Sequence, residues 1–211
     1  MIDALAPYPE YRDSGFPSLP VLPSTWSARR AKFLLREMDS RTTTGTEPLL
    51  SVSQYTGVTQ RKFGAGTTDR PTRASSLIGY KRVRSNELVI NIMLAWNGSL
   101  GISRQDGIVS PAYCVYKLSS VFSPWYSHYL LRSDLYKSLI RAASTGVVDS
   151  RLRLYTDALG RLELPLPPSP NKPPSSASLT GQPGAWTVPS GRSAALWPSS
   201  LNKSRPSSTA R

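Results

Sequence analysis

The acidic residues of this 211-residue chain stop at Glu163, and the texture of the sequence changes soon after. Up to Leu164–Pro165–Leu166–Pro167–Pro168, charged, apolar and turn residues alternate as they do in a folded domain. From Ser169 onward the chain is built mainly of Ser, Pro, Ala, Gly and basic residues. So little periodic apolar surface cannot offset the entropy of ordering a backbone, so residues 169–211 are expected to form a disordered tail. The stretch before Ser169 is long enough for a single ordinary core.

Charge narrows the function. The 26 Lys and Arg outnumber 13 Asp and Glu, for a net charge of +13. Five of the basic residues (Lys172, Arg192, Lys203, Arg205 and Arg211) follow Glu163, so the part before it still carries 21 against 13. A basic domain of this kind points to a polyanionic partner, nucleic acid before membrane. A basic surface that serves only solubility is the plainer alternative.

Catalytic chemistry is poorly represented. Cys114 and His128 are each the only residue of their type, which excludes a disulfide framework and a Cys/His zinc site within one chain. His128 lies in Trp125–Tyr126–Ser127–His128–Tyr129, which reads as a helix packed on a core. No P-loop or dinucleotide fingerprint is present, and Gly64–Ala65–Gly66 is only a fragment of one. Asp134, Asp149, Asp157 and Glu163 show no spacing that pairs two carboxylates for acid–base work or metal binding. We therefore expect no enzyme, no metal and no cofactor. Met1 to Pro9 does not resemble a signal peptide, and no apolar run is long enough to cross a bilayer, which leaves the cytoplasm.

Along the chain, residues 1–24 read as an extended lead-in, with Pro17, Pro20 and Pro23 resisting helix and sheet alike. Trp26, Arg29, Arg30, Phe33, Leu34 and Met38 predict a helical turn or two, capped by Ser24 or Thr25. Leu49 to Gln54 reads as a strand, and residues 55–76 as a long polar loop. Strands follow around Gly79–Val83 and Glu87–Met93, then a turn at Ala95–Trp96–Asn97–Gly98. Leu100–Ser103 and Gly107–Val109 flank Arg104–Gln105–Asp106 and predict a hairpin, and Ala112–Leu118 predicts a further strand. Ser123–Pro124 opens a helix whose apolar face carries Tyr126, Tyr129, Leu130, Tyr136, Leu139 and Ile140, with Gly146 ending that region. A short turn capped by Thr156 and a strand at Arg161–Leu166 complete the reading. Strands and helices without a βαβ rhythm predict an α+β domain over 25–168, with a mixed or antiparallel sheet and a few helices.

The basic residues recur in loops and near strand ends: Arg61, Lys62, Arg70, Arg73, Lys81, Arg82, Arg84, Arg104, Arg151 and Arg153. Recognition residues concentrate on loops held by a rigid scaffold. Arg and Lys contact phosphates, Arg also reads guanine edges, and Gln54, Gln60 and Gln105 are suited to adenine. As a group these residues mark a nucleic-acid face.

Several motifs then point to a family. They include Tyr8–Pro9–Glu10–Tyr11–Arg12–Asp13–Ser14–Gly15, Pro23–Ser24–Thr25–Trp26, and Leu49–Leu50–Ser51–Val52–Ser53–Gln54–Tyr55–Thr56–Gly57–Val58. Later come Ala95 to Gly101, Gly107 to Tyr113, Tyr129 to Ser133, Gly146 to Arg151 and Leu164 to Pro168. In this order, over residues 8–168, the chain resembles one target-recognition domain of the DNA-specificity subunit of type I restriction–modification systems. The resemblance implies a non-catalytic subunit that binds duplex DNA and directs methyltransferase and restriction subunits. The rival expectation is a basic nucleic-acid-binding protein without sequence preference and with a disordered tail.

The chain departs from that family after Pro168, where members continue with a Glu-Gln motif and a long helix ending in a Lys-Gln-Ala-Ile-Ile-His-Arg-like sequence. Codons re-read from their third base allow Asn171 to Ser176 to spell Gln-Ala-Ala-Ile-Val, with a Glu before it from Pro170 and Asn171. In the same frame Asn202 to Arg211 can spell Gln-Lys-Gln-Ala-Ile-Ile-His-Arg-Ala. Agreement at both ends makes an out-of-frame reading of the family's helix the expectation from about Ser169. The segment Gly15 to Pro23 also departs from the family's usual Trp-Leu-Gly-x-x-Pro pattern.

Overall fold

A computed structural model describes residues 8–61 and 76–168. The expected tail disorder, and the expected contacts of Lys62, Arg70 and Arg73, lie outside the described residues. In chain order the strands are β1 (Tyr11–Asp13), β2 (Val21–Pro23), β3 (Ser27–Arg30), β4 (Leu35–Met38), β5 (Leu50–Ser53) and β6 (Gly57–Gln60). They continue with β7 (Lys81–Val83), β8 (Leu88–Asn91), β9 (Leu100–Ile102), β10 (Gly107–Val109), β11 (Tyr113–Leu118) and β12 (Glu163–Leu166). Three helices, α1 (Pro124–Arg132), α2 (Asp134–Ala143) and α3 (Thr156–Arg161), lie between β11 and β12. The chain is α+β, as its sequence predicts.

The centre is a four-stranded antiparallel sheet in the order β4-β11-β8-β9. Period-two alternation divides its side chains between two cores. Leu88, Ile90, Leu100, Ile102 and Tyr116 join Leu130 and Leu131 of α1, Tyr136 and Ile140 of α2, and Ala158 and Leu159 of α3. Val89 and Val115 face the other way, packing with Leu50 and Val58 of the β5–β6 hairpin and with Val83 and Val109 of the β7–β10 pair. Each fully buried Leu or Ile contributes about 1.5–3 kcal/mol, so the two layers hold the sheet from both sides.

Five local expectations are corrected. The helix over 24–38 does not form: β3 pairs antiparallel with β12, Arg29 opposite Leu164, and only Ala31–Phe33 make one 3-10 turn before β4. A partner strand so distant in sequence overrides the local helical spacing. The lead-in contains a hairpin, β1 with β2, because Pro17 and Pro20 fall in its loop and Pro23 at the last position of β2. Leu19 and Leu22 are buried beneath it.

The predicted hairpin at 100–109 has both strands but not that pairing. β9 pairs with β8 and β10 with β7, so the segment between them is a corner joining two sheets. The long helix from Ser123 is broken at Ser133, whose φ of −66° and ψ of 156° leave the helical region. The Ser133 hydroxyl donates to Leu130 O at 2.8 Å and accepts from Tyr136 N–H at 3.4 Å, closing one helix and capping the next. Thr156 is the first residue of α3 rather than its cap; its hydroxyl bonds Glu37 Oε2 at 2.6 Å.

Candidate nucleic-acid interface

Two turns meet at one end of the domain. One, Arg84 to Glu87, joins β7 to β8, and the other, Ser103 to Asp106, joins β9 to β10. Asp106 Oδ1 accepts from Ser85 N–H at 2.8 Å, and the Ser85 hydroxyl donates to Arg104 O at 3.1 Å. Asn86, in the left-handed region at φ 67°, donates its N–H to Ser103 O at 2.8 Å. Glu87 Oε2 accepts from Arg84 N–H at 2.8 Å, and the buried Ser103 hydroxyl donates to Gln105 O at 2.6 Å. Small polar side chains thus fix both turns and leave Arg84, Arg104 and Gln105 projecting as exposed side chains.

The end of β6 joins this surface. Gln105 Nε2 donates to Gln60 Oε1 at 3.4 Å, and Arg61 follows directly, held by its N–H to Leu49 O at 2.9 Å. The charge of Arg61 acts on the nearby Tyr113 phenol, whose pKa burial raises and Arg61 pulls down. From the helical side, the Arg104 guanidinium lies 4.6 Å from the centroid of the Trp125 ring. Among the described residues Arg61, Arg84 and Arg104 have no ion-pair partner, and Gln60 and Gln105 are exposed.

The β5–β6 hairpin is positioned by α1. Arg132 Nη1 donates to Ser53 O, Gly98 O and Leu100 O at 3.2, 2.9 and 2.8 Å, and its Nη2 donates to Gln54 O and Tyr55 O at 2.7 and 3.1 Å. One guanidinium therefore ties two loops to a helix. Burial lowers the pKa of Arg132. One turn earlier, His128 Nδ1 accepts from Ile102 N–H at 3.1 Å. Burial first, then the charges of Arg132 and Arg104, lower its pKa to about 4, so the imidazole is neutral and structural. Tyr55, 82% exposed, stands at the tip of the hairpin fixed in this way.

The sequence-predicted cations separate into groups. Arg84 and Arg104 stand on the two joined turns, and Arg61 follows Gln60 at the end of β6, with its charge acting on Tyr113. Lys81 is buried, 7% exposed, with Glu37 at 3.9 Å and Asp39 at 3.7 Å. Arg82 pairs with Glu47 at 3.1 Å, and Glu47 is held below its usual pKa first by the Thr42 hydroxyl. Arg151 and Arg153 lie elsewhere, beside the end of α2; Arg153 bridges to Thr145. Trp125 packs against the core as its place in the aromatic run suggests, and sequence reasoning missed only its second role as a partner of Arg104. Among the described residues no group of three His, Cys, Asp or Glu is suited to a metal, and no helix is long and apolar enough to cross a membrane.

No family model and no curated protein matches the chain. Solved structures do. A crystal structure of the HsdS subunit from Thermoanaerobacter tengcongensis superposes with a TM-score of 0.50 at 16% identity, over 70% of this chain and 39% of that one. A type I restriction–modification system described for its complex assembly and conformational transition gives 0.49 at 14% identity, over 70% and 39%. The S subunit of the type I system from M. genitalium gives 0.42 at 13%, over 71% and 37%. The chain spans about two fifths of the length of the HsdS subunit it matches. With its central antiparallel sheet and flanking helices, the chain shares the fold of part of that HsdS subunit.

Proposed function

We infer that this chain binds duplex DNA with a sequence preference, through the surface where the two turns meet the end of β6. The observation that carries the reading is the joining of the turns that hold Arg84 and Arg104, without acidic partners among the described residues, to the end of β6 through the amide pair of Gln60 and Gln105, with Arg61 next in the chain. Unpaired arginines supply the sequence-independent grip on phosphate. Within the amide pair, the Gln60 amino group and the Gln105 carbonyl oxygen remain for a base edge, a donor and an acceptor that adenine N7 and N6 complement. The net charge of +13 and the HsdS-like fold support the same reading.

In this role the chain does no bond chemistry. It acts in the cytoplasm as the specificity component of a type I restriction–modification system, placing methyltransferase and restriction subunits on a chosen site. Selection from random duplexes over a salt series tests it. A preferred sequence should survive as ionic strength rises, whereas release of all sequences together would leave only electrostatic adhesion.

The segment from about Ser169 is, on this reading, translated out of the family's frame. Sequencing the gene checks it directly. The third-base frame should encode a continuous amphipathic helix between the segments at 170–176 and 202–211; an early stop or no such helix would end the idea.

A further inference from the structure

At the end of the four-stranded sheet that carries the Arg84–Glu87 turn, strands β11 and β4 are left partly uncovered. Beyond Val115 and Met38, the face that packs on β5–β6 runs on to Arg36 of β4 and Lys117 of β11, which stand directly opposite each other in the antiparallel register. Like charges in that relation repel, a cost that an anion lying across them removes. Neither neighbouring acid does so: Glu37 points to the other face, where Lys81 and the Thr156 hydroxyl engage it, and the Glu87 carboxylate accepts from Arg84 N–H.

A third cation, Lys32, lies 5.0 Å from the centroid of the Phe33 ring, and Phe33 is 65% exposed. These residues, with Leu35 and Leu118, line an open groove of about 350 Å³. Among the described residues none of Lys32, Arg36 and Lys117 has an acidic partner. β4 is also an edge strand of its sheet. Charged side chains on an edge guard against unwanted pairing, but that duty requires neither an opposed pair of cations nor an exposed phenyl ring beside them.

We propose that this groove docks an extended acidic segment of a partner protein, which sets carboxylates on Lys32, Arg36 and Lys117 and an apolar side chain against Phe33. Three features favour a protein over nucleic acid. The groove lining includes partly buried Leu35 and Leu118 beside the Phe33 ring, apolar surface that a peptide side chain covers. Phe33 and Arg36 line the same groove, and aromatic residues and arginine are enriched at protein interfaces. An edge strand offers backbone hydrogen bonds to an extended peptide, with side-chain pockets giving specificity. The proposal does not rest on the DNA reading.

The test uses the full chain, a fluorescein-labelled peptide of glutamates around one central leucine, and a labelled 20-base-pair duplex, each followed by anisotropy. Wild type should bind the peptide in a salt-dependent manner. The double substitution Arg36→Glu/Lys117→Glu should weaken the peptide by about tenfold or more, and Phe33→Ala by several-fold. Duplex binding should fall by a smaller factor than peptide binding in either variant. Arg36→Gln/Lys117→Gln, which removes charge without reversing it, covers the case of a misfolded reversal. Failure of wild type to bind the peptide, or indifference of the peptide to both changes, overturns the proposal. Duplex binding lost in step with these cations, with the peptide unaffected, makes the groove a nucleic-acid contact and overturns it too. Loss of duplex binding by wild type alone would count against the proposed function and leave this proposal standing.

Discussion

The guanidinium of Arg104 lies 4.6 Å from the centroid of the Trp125 ring, which couples a turn between two sheets to the first turn of α1. Trp125 restricts where that charge can go, so Arg104 meets a phosphate or base already positioned. Arg104→Ala and Trp125→Leu should each weaken DNA binding. The double substitution should cost less than the two single losses together, by about 0.5–1 kcal/mol, as expected for an exposed cation–π pair. Anisotropy titrations of the four proteins on one duplex check this. Fully additive losses would show that the ring does not position the arginine.

Gln60 and Gln105 should act differently from the arginines. If their paired amides read a base, Gln105→Ala should relax the selected sequence at one position, costing about 1–3 kcal/mol against the preferred base and little against others. Arg84→Ala should instead weaken all sequences by similar factors. Parallel selections on the three proteins separate these outcomes.

His128 makes stability depend on pH. Its folded pKa is lowered to about 4, while an unfolded histidine titrates near 6.5. Between those values the unfolded chain binds a proton that the folded chain refuses, so stability is full above about pH 6.5 and falls as pH drops towards 4. Solvent still reaches part of the ring, and the loss should be about 1–2 kcal/mol. Urea melts of wild type and His128→Asn measure it. The variant keeps an acceptor near Nδ1 and should lose most of that slope.

Gly57 has a φ of +71°, and a Cβ there would lie 2.9 Å from His128 Cε1. Gly57→Ala therefore combines backbone strain with a clash against a ring fixed by Ile102 N–H. The expected cost is about 2 kcal/mol or more, read from the urea midpoint. His128→Asn/Gly57→Ala should recover part of it by shortening the side chain that is struck.

Much of the fold was legible because its strongest signals are local. The strand Tyr113–Leu118, the Ser–Pro opening of α1, and the short strands around Leu88–Asn91 and Leu100–Ile102 follow from alternation and capping alone. What was not legible depends on distant partners. The spacing of Trp26 to Met38 is helical in isolation, but β3 is claimed by β12 more than a hundred residues later. The apolar stripe through Tyr129 and Tyr136 hides the break that the Ser133 side chain makes.

The candidate site divides in the same way. Arg61, Arg84 and Arg104 were visible as loop cations, but the meeting of the Arg84 and Arg104 turns depends on Asp106 and Ser85. Lys81 and Arg82 looked equivalent to them, since nothing local shows that Glu37, Asp39 and Glu47 face them. Lys32, Arg36 and Lys117 were overlooked because two were assigned to a helix and one to a strand. Only the register of β4 against β11 sets Arg36 opposite Lys117.

The salt dependence of binding tests the location of the DNA face most directly. Affinities for one selected duplex should be measured across ionic strength for wild type, for Arg61→Ala/Arg84→Ala/Arg104→Ala, and for Arg151→Ala/Arg153→Ala. If the turn end holds the duplex, the triple variant should lose about three units of the slope of log K against log salt, with the double variant close to wild type. A triple variant with an unchanged slope, beside a double variant that loses its own, would place DNA on the other side of the domain and contradict the account.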